Sequence, residues 1–169
     1  MRALLDRIYL GAGYLAGVFM VLILLSILTG IAGRMFGIDT PGMDAYAGYS
    51  MAASSFLALA YTLRRGEHIR VTLILQQLGP RGRYALELFA HAAAVCLSFA
   101  LAWFSVRLVW QSYVFNDVSQ GLDATPLWIP QIGMAVGAVL LLLAFVQGLV
   151  ELLYTRRTAD GREAMAPIE

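Results

Sequence analysis

The sequence has no lysine, a single cysteine and few charged residues of any kind. Asp, Glu, Lys and Arg make up 14% of the 169 residues, whereas about a quarter of a typical soluble domain is charged. Hydrophobic residues make up 60% of the chain and the mean hydropathy is +0.72, which excludes a disordered chain. Cys96 has no second cysteine with which to form a disulfide. A net charge of +1 gives no indication of a nucleic-acid partner.

The apolar residues are concentrated in four stretches without charged side chains, residues 8–33, 45–63, 88–106 and 124–150. A helix that crosses the ~30 Å hydrocarbon core of a bilayer needs about 20 mostly apolar residues. The sequence therefore predicts an all-α membrane protein with four transmembrane helices in one domain, residues 1–155. The predicted helices span about residues 8–33, 45–63, 88–112 and 125–153.

The distribution of arginine predicts the orientation of these helices. Arginines are concentrated at the N-terminus, between the second and third stretches, and in the C-terminal tail, whereas Arg34 and Arg107 are the lone arginines of the two other connections. Positively charged segments remain in the cytoplasm. We expect both termini and the middle segment to be cytoplasmic, with residues 156–169 forming a mobile tail.

The middle segment is predicted to contain a short amphipathic helix at about residues 68–79. A glycine–proline pair at its end is a helix stop. We expect this helix to lie in the inner membrane interface, and an ordinary turn is the alternative. Its apolar residues have the spacing of one helical face: Val71, Ile74, Leu75 and Leu78.

The predicted spans contain little that a catalyst or an independent carrier would need. None has a mid-depth Asp or Glu for a proton relay, or the central Pro or Gly break that exposes backbone carbonyls to sodium. No Cys or His cluster has metal-ligand spacing. We therefore predict no enzyme activity, no catalytic residue, no cofactor and no metal site.

Small residues are spaced for close helix packing at several positions. Gly13 and Gly17 form one G-x-x-x-G pair, and Gly133 and Gly137 form another. Such faces let helix backbones approach one another. They serve either packing within the four-helix unit or contact with a larger partner.

Three features together resemble the small membrane subunit of tripartite ATP-independent periplasmic (TRAP) transporters. The first is the charged segment at residues 63–71, Leu-Arg-Arg-Gly-Glu-His-Ile-Arg-Val. The second is the proline-bearing start of the fourth span at residues 125–130, Thr-Pro-Leu-Trp-Ile-Pro. The third is Arg34 at the end of the first span.

The resemblance implies a non-catalytic scaffold in a sodium-driven importer of organic acids in the bacterial inner membrane. The partners it implies are a large elevator-type permease subunit, against whose static part the small subunit packs, a periplasmic substrate-binding protein, and membrane lipids. The residues expected at the inner partner or lipid interface are Arg64, Arg65, Glu67, His68 and Arg70. Those expected at the outer partner interface are Arg34, Asp44, Asp123, Thr125, Pro126 and Trp128.

Two other functions remain open from the residues alone. A self-contained carrier or channel could form a shared pore as a homo-oligomer, lined by Ser54, Ser55, Thr62, Ser98 and Ser105. An electron-transfer anchor would bind haem or quinone, but a haem held between helices needs two facing histidines. His91 lies just inside a span, and His68, the only other histidine, lies in the middle segment.

Overall fold

A computed structural model describes residues 2–65, 80–121 and 123–163, and the side chains of residues 5–65, 82–121 and 123–154. These residues form an all-α structure, as the composition predicts. Its helices are α1 (Arg2–Phe36), α2 (Met43–Arg65), α3 (Pro80–Val114) and α4 (Trp128–Glu163). The predicted interfacial helix at residues 68–79 lies outside the described residues, and so do Glu67, His68 and Arg70.

Three of the helices are long and apolar enough to cross a membrane, over Leu5–Phe36, Gly82–Val114 and Trp128–Tyr154. The second predicted span, α2, falls short of that apolar composition. Its 23 residues would extend ~35 Å at 1.5 Å per residue, so composition rather than length sets α2 apart. That α2 also crosses the membrane stays a prediction.

The helices pack in the order α1, α2, α4, α3, so the extended contacts run from one helix to the next across a row. Helix α2 lies between α1 and α4 and buries a face of small residues and Leu57. Because both neighbours cover α2, it needs fewer large apolar side chains than the other three helices. Helices α1 and α3, at the two edges of the row, expose most of their large apolar residues.

Two helix ends carry the hydrogen bonds of a Schellman motif, in which a residue of positive φ reverses the chain. After α1, Gly37 has φ +69° and the Ile38 N–H donates to the Gly33 carbonyl at 2.9 Å. After α3, Asn116 takes the left-handed conformation with φ +52°, and the Asp117 N–H donates to the Ser112 carbonyl at 3.0 Å. Both helices therefore end at defined positions.

Helix α4 begins at Trp128, three residues later than the predicted start at Thr125. Residues 125 and 126 instead pair with the chain just after α3. The Ser119 N–H donates to the Thr125 carbonyl at 2.8 Å, and Pro126 forms an isolated antiparallel bridge with Val118. At its other end α4 continues to Glu163, past the end of the predicted span, and the mobility of the tail stays a prediction.

Candidate functional site: two polar clusters at the ends of the helix row

The first cluster, named the inner cluster after the side of the membrane that the sequence predicts for it, joins α1, α2 and α4 through Arg64 at the end of α2. Its Nε atom lies 3.3 Å from Asp6 Oδ1 of α1, and its Nη1 atom lies 3.4 Å from Glu151 Oε1 of α4. Partial burial lowers the pKa of Arg64, but the carboxylates of Glu151 and Asp6 outweigh that effect and hold the pKa above its ordinary value. One guanidinium thus joins three helices.

A buried tyrosine supports the inner cluster from within the row. Tyr9 of α1 is 2% exposed, and its hydroxyl donates to Gln147 Oε1 of α4 at 3.2 Å. Its ring packs with Ala60, Leu141 and Ala144. Because a buried hydroxyl is costly without a partner, the bond to Gln147 fixes the register of α1 against α4.

Arg65 lies beside Arg64 but contacts an aromatic ring instead of a carboxylate. Its Cζ atom is 5.0 Å from the centroid of the Tyr61 ring, within cation–π range. That ring packs so closely over α1 that a Cβ at Gly13 would lie 2.9 Å from it. A cavity of about 460 Å³ opens there, lined by Asp6, Tyr9, Leu10, Tyr61, Arg64 and Arg65.

The second cluster, named the outer cluster after the side that the sequence predicts for it, joins the α1–α2 and α3–α4 connections around Asp123. Its carboxylate accepts hydrogen bonds from the Ser119 hydroxyl at 2.8 Å and the Tyr49 hydroxyl at 3.1 Å. Gly42, with φ +80°, passes so near that a Cβ there would lie 2.6 Å from Asp123 Cβ. Desolvation raises the pKa of Asp123, but the hydrogen bonds that its carboxylate accepts from Ser119 and Tyr49 outweigh this effect and lower that pKa.

The other residues predicted for the outer interface lie at the same end of the row. Arg34 Nη2 is 3.0 Å from Asp44 Oδ2, with both side chains largely exposed. The Thr125 hydroxyl donates to the Tyr46 hydroxyl at 3.2 Å. The Trp128 ring meets the Tyr113 ring edge-on, with centroids 5.7 Å apart.

The structure thus brings predicted residues together with partners that the sequence did not single out. Arg34 and Asp44 contact each other, Asp123 and Thr125 both contact the start of α2, and Arg64 and Arg65 lie at the opposite end of the row. One local signal was available: a Pro–Gly pair at residues 41–42 favours a turn whose glycine has positive φ. The residues missed are Asp6, Tyr9, Gln147 and Glu151 at the inner cluster, and Gly42, Tyr46, Tyr49 and Ser119 at the outer cluster.

Several of the polar residues considered for a pore or a haem site are buried or have contacts within the chain. The Ser54 hydroxyl donates to the Ala16 carbonyl at 3.0 Å, and Ser98 and Ser105 are buried on α3. His91 Nδ1 lies 2.8 Å from the Glu87 carbonyl oxygen, and the ring packs near Gly148 of α4. Ser54 and His91 therefore act in helix packing.

The fold and the two clusters define a helical membrane protein whose helices are joined by polar contacts at both ends. A comparison with protein-family models matches residues 23–155 to the family described as "Tripartite ATP-independent periplasmic transporters, DctQ component". The chain belongs to this family, which confirms the resemblance in its sequence, and the family is one of transporter components rather than enzymes. A search of curated proteins found no match.

Proposed function

We propose that the chain is the non-catalytic scaffold subunit of a sodium-driven, binding-protein-dependent importer of organic acids. It packs against the static part of a large elevator-type permease and widens its anchor in the membrane. A transport domain that moves needs an immobile frame, and a wider frame resists tilting because tilt exposes mismatched surface to lipid. The observation that carries this proposal is the helix row, in which the extended contacts among the described residues join successive helices and leave much apolar surface exposed.

The exposed side of α2 supports contact with a large partner on one face of the row. It presents Gly48, Met51, Ser55 and Leu59 at helical spacing, opposite the face that packs against α1 and α4. Two of these four residues, Gly48 and Ser55, are small or polar, and such groups gain little from contact with the hydrocarbon. Small residues let a neighbouring helix approach closely, so we expect a helix of the permease to pack against this stripe.

The two polar clusters support the immobility that a scaffold needs. The inner cluster joins α1, α2 and α4, and the outer cluster joins both outer connections to the start of α2. We assign inner contacts with the permease or with lipid headgroups to Arg64, Arg65, Glu67, His68 and Arg70. We assign outer contacts with the permease or the binding protein to Arg34, Asp44, Asp123, Thr125, Pro126 and Trp128.

The proposed setting is the bacterial inner membrane, with four spans and both termini in the cytoplasm. Gly42 and Asp123 are in contact, so the α1–α2 and α3–α4 connections lie at the same end of the row. Arg64 lies beside Asp6, so the N-terminus and the end of α2 lie at the other end. With the arginine distribution, this favours an inner end at the inner cluster.

A self-contained carrier is the alternative, and the buried state of Ser54, Ser98 and Ser105 disfavours a pore lined by them. Solute flux in liposomes separates the two functions. The scaffold proposal predicts no organic-acid uptake with this chain alone and sodium-dependent uptake once permease and loaded binding protein are added. Uptake by the chain alone would establish the carrier.

A bulky residue on the exposed stripe of α2 tests which face the permease covers. No atom of the described residues lies within 4 Å of a Cβ placed at Gly48 and the position is exposed, so we expect Gly48→Leu to leave the chain's own packing intact. We expect Gly48→Leu to lose the permease on co-purification while its unfolding temperature in detergent stays unchanged. Full recovery of permease with this variant would place the contact on another face.

A further inference from the structure

Arg107 is exposed on α3 and has no charged partner among the described side chains. Arg34, Arg64 and Arg83 each contact a carboxylate, whereas no ion pair or hydrogen bond there involves Arg107. Apart from Gln111, its neighbours one turn away on the helix surface are apolar: Trp103, Phe104 and Trp110. A guanidinium on such a surface is costly in a membrane unless it reaches the headgroups or meets an anion.

Arg107 lines a groove between α3 and α4 with a volume of about 370 Å³. Gln111, one helical turn further along α3, adds a second polar group at the same end of the groove. From Leu101 to Arg107 the groove follows ~9 Å of helix at 1.5 Å per residue. The remaining lining is mainly apolar: Leu101, Phe104, Ser105, Leu108 and Met134.

Two tryptophans indicate the depth of Arg107 in the membrane. Trp103 and Trp110, four residues before and three residues after it, are 61% and 67% exposed. Tryptophan is enriched at the boundary between lipid chains and headgroups. Since α3 ends at Val114, ~10 Å beyond Arg107, the guanidinium reaches the headgroup level while the groove extends toward the hydrocarbon.

We propose that this groove binds an anionic phospholipid, with the phosphate at Arg107 and Gln111 and an acyl chain along the apolar lining. Guanidinium binds phosphate through two parallel N–H bonds, and the glutamine amide supplies further donors. A carboxylate of a partner protein would also neutralise Arg107, but it would not fill the apolar part of the groove. The shape of the groove therefore favours a lipid.

Quenching of tryptophan fluorescence by brominated lipid measures the preference of the groove for phosphatidylglycerol, which is anionic, over phosphatidylcholine. The full chain is reconstituted in phosphatidylcholine with increasing fractions of phosphatidylglycerol brominated on its chains, and then with brominated phosphatidylcholine. The attraction of one arginine for an anionic headgroup corresponds to about a fivefold preference. We expect that preference for phosphatidylglycerol in the unaltered chain, reported mainly by Trp103 and Trp110.

Matched variants distinguish a site at Arg107 from general charge attraction. Arg107→Gln should reduce the preference to about one, and Arg107→Lys, which keeps the charge, should retain most of it. Arg7→Gln removes the same charge from the far end of α1 and should leave the preference unchanged. Equal quenching by both lipids, or no effect of Arg107→Gln, overturns the proposal. Loss of co-purified permease in Arg107→Glu together with equal quenching would assign Arg107 to a partner's carboxylate instead.

Discussion

Gly137 of α4 lies against the backbone of Phe56 in α2, so closely that a Cβ at position 137 would come within 2.6 Å of the Phe56 carbonyl carbon. One helical turn away, a Cβ at Gly133 would lie 2.7 Å from Ala53 Cβ. This G-x-x-x-G pair therefore serves packing inside the chain. Gly17 and Gly48 have open space around them and are free for other contacts.

Gly137→Ala should destabilise the helix row, because the added methyl group meets backbone that cannot move away. Overpacking of this kind costs about 1–3 kcal/mol. Gly48→Ala is the matched control and should be neutral or slightly stabilising, since alanine favours helix over glycine and nothing lies near it. Unfolding in detergent followed by circular dichroism measures both variants, and equal stabilities would contradict the packing described.

Arg64→Ala should weaken the inner cluster more than Arg83→Ala weakens α3. Arg64 joins three helices through Asp6 and Glu151, and its side chain is 25% exposed. Among the described side chains, Arg83 pairs with Glu87 on its own helix, and its side chain is 59% exposed. We expect a loss of about 1 kcal/mol for Arg64→Ala and less than about 0.5 kcal/mol for Arg83→Ala. A double-mutant cycle of Arg64→Ala with Glu151→Gln should show coupling, and purely additive effects would rule out the contact.

The outer cluster should be unaffected by mild acid. The lowered pKa of Asp123, whose ordinary value is 3.8, means that its contribution to stability is present above that value and is lost as pH falls below it. Hydrogen exchange at residues 117–127, corrected for the intrinsic rate, should be constant from pH 8 to 5 and rise only below about pH 4. Asp123→Asn should exchange faster throughout and show no acid transition. A transition near neutral pH would contradict the assignment to Asp123.

Cysteine labelling tests the membrane topology, starting from a Cys96→Ser background. Ile38→Cys and Gln120→Cys lie in the two outer connections and should both react with an impermeant maleimide in intact cells. Arg7→Cys, near the Asp6–Arg64 contact, should react only after permeabilisation. Labelling of position 7 together with either of the other two in intact cells would mean that α1 does not cross the membrane as proposed.

The apolar stretches of the sequence predict the helices well because uncharged runs of that length have few alternatives to a helix. The start of α4 was missed because Thr125 and Pro126 favour a helix start locally, whereas the chain after α3 pairs with them. Helix α2 lacks the apolar composition of the other three helices because two of them cover it. That central position is set by the packing order and cannot be read from the sequence of α2.

The inner cluster illustrates what local sequence cannot give. The partners of Arg64 lie 58 and 87 positions away, so they follow from the order of helices in the row and not from spacing along one helix. The close approach of Gly42 to Asp123 likewise depends on two connections meeting at one end. The sequence predicted functional residues at both ends, and the structure supplies their contacts within the chain.

The most direct test of the scaffold function is a mild-detergent purification of the chain from native membranes, through a tag at its C-terminus, with mass spectrometry of what accompanies it. We expect a large multi-helix permease in stoichiometric amount. Recovery of this chain alone, even after crosslinking in the membrane, would contradict the scaffold function and leave the self-contained carrier in its place.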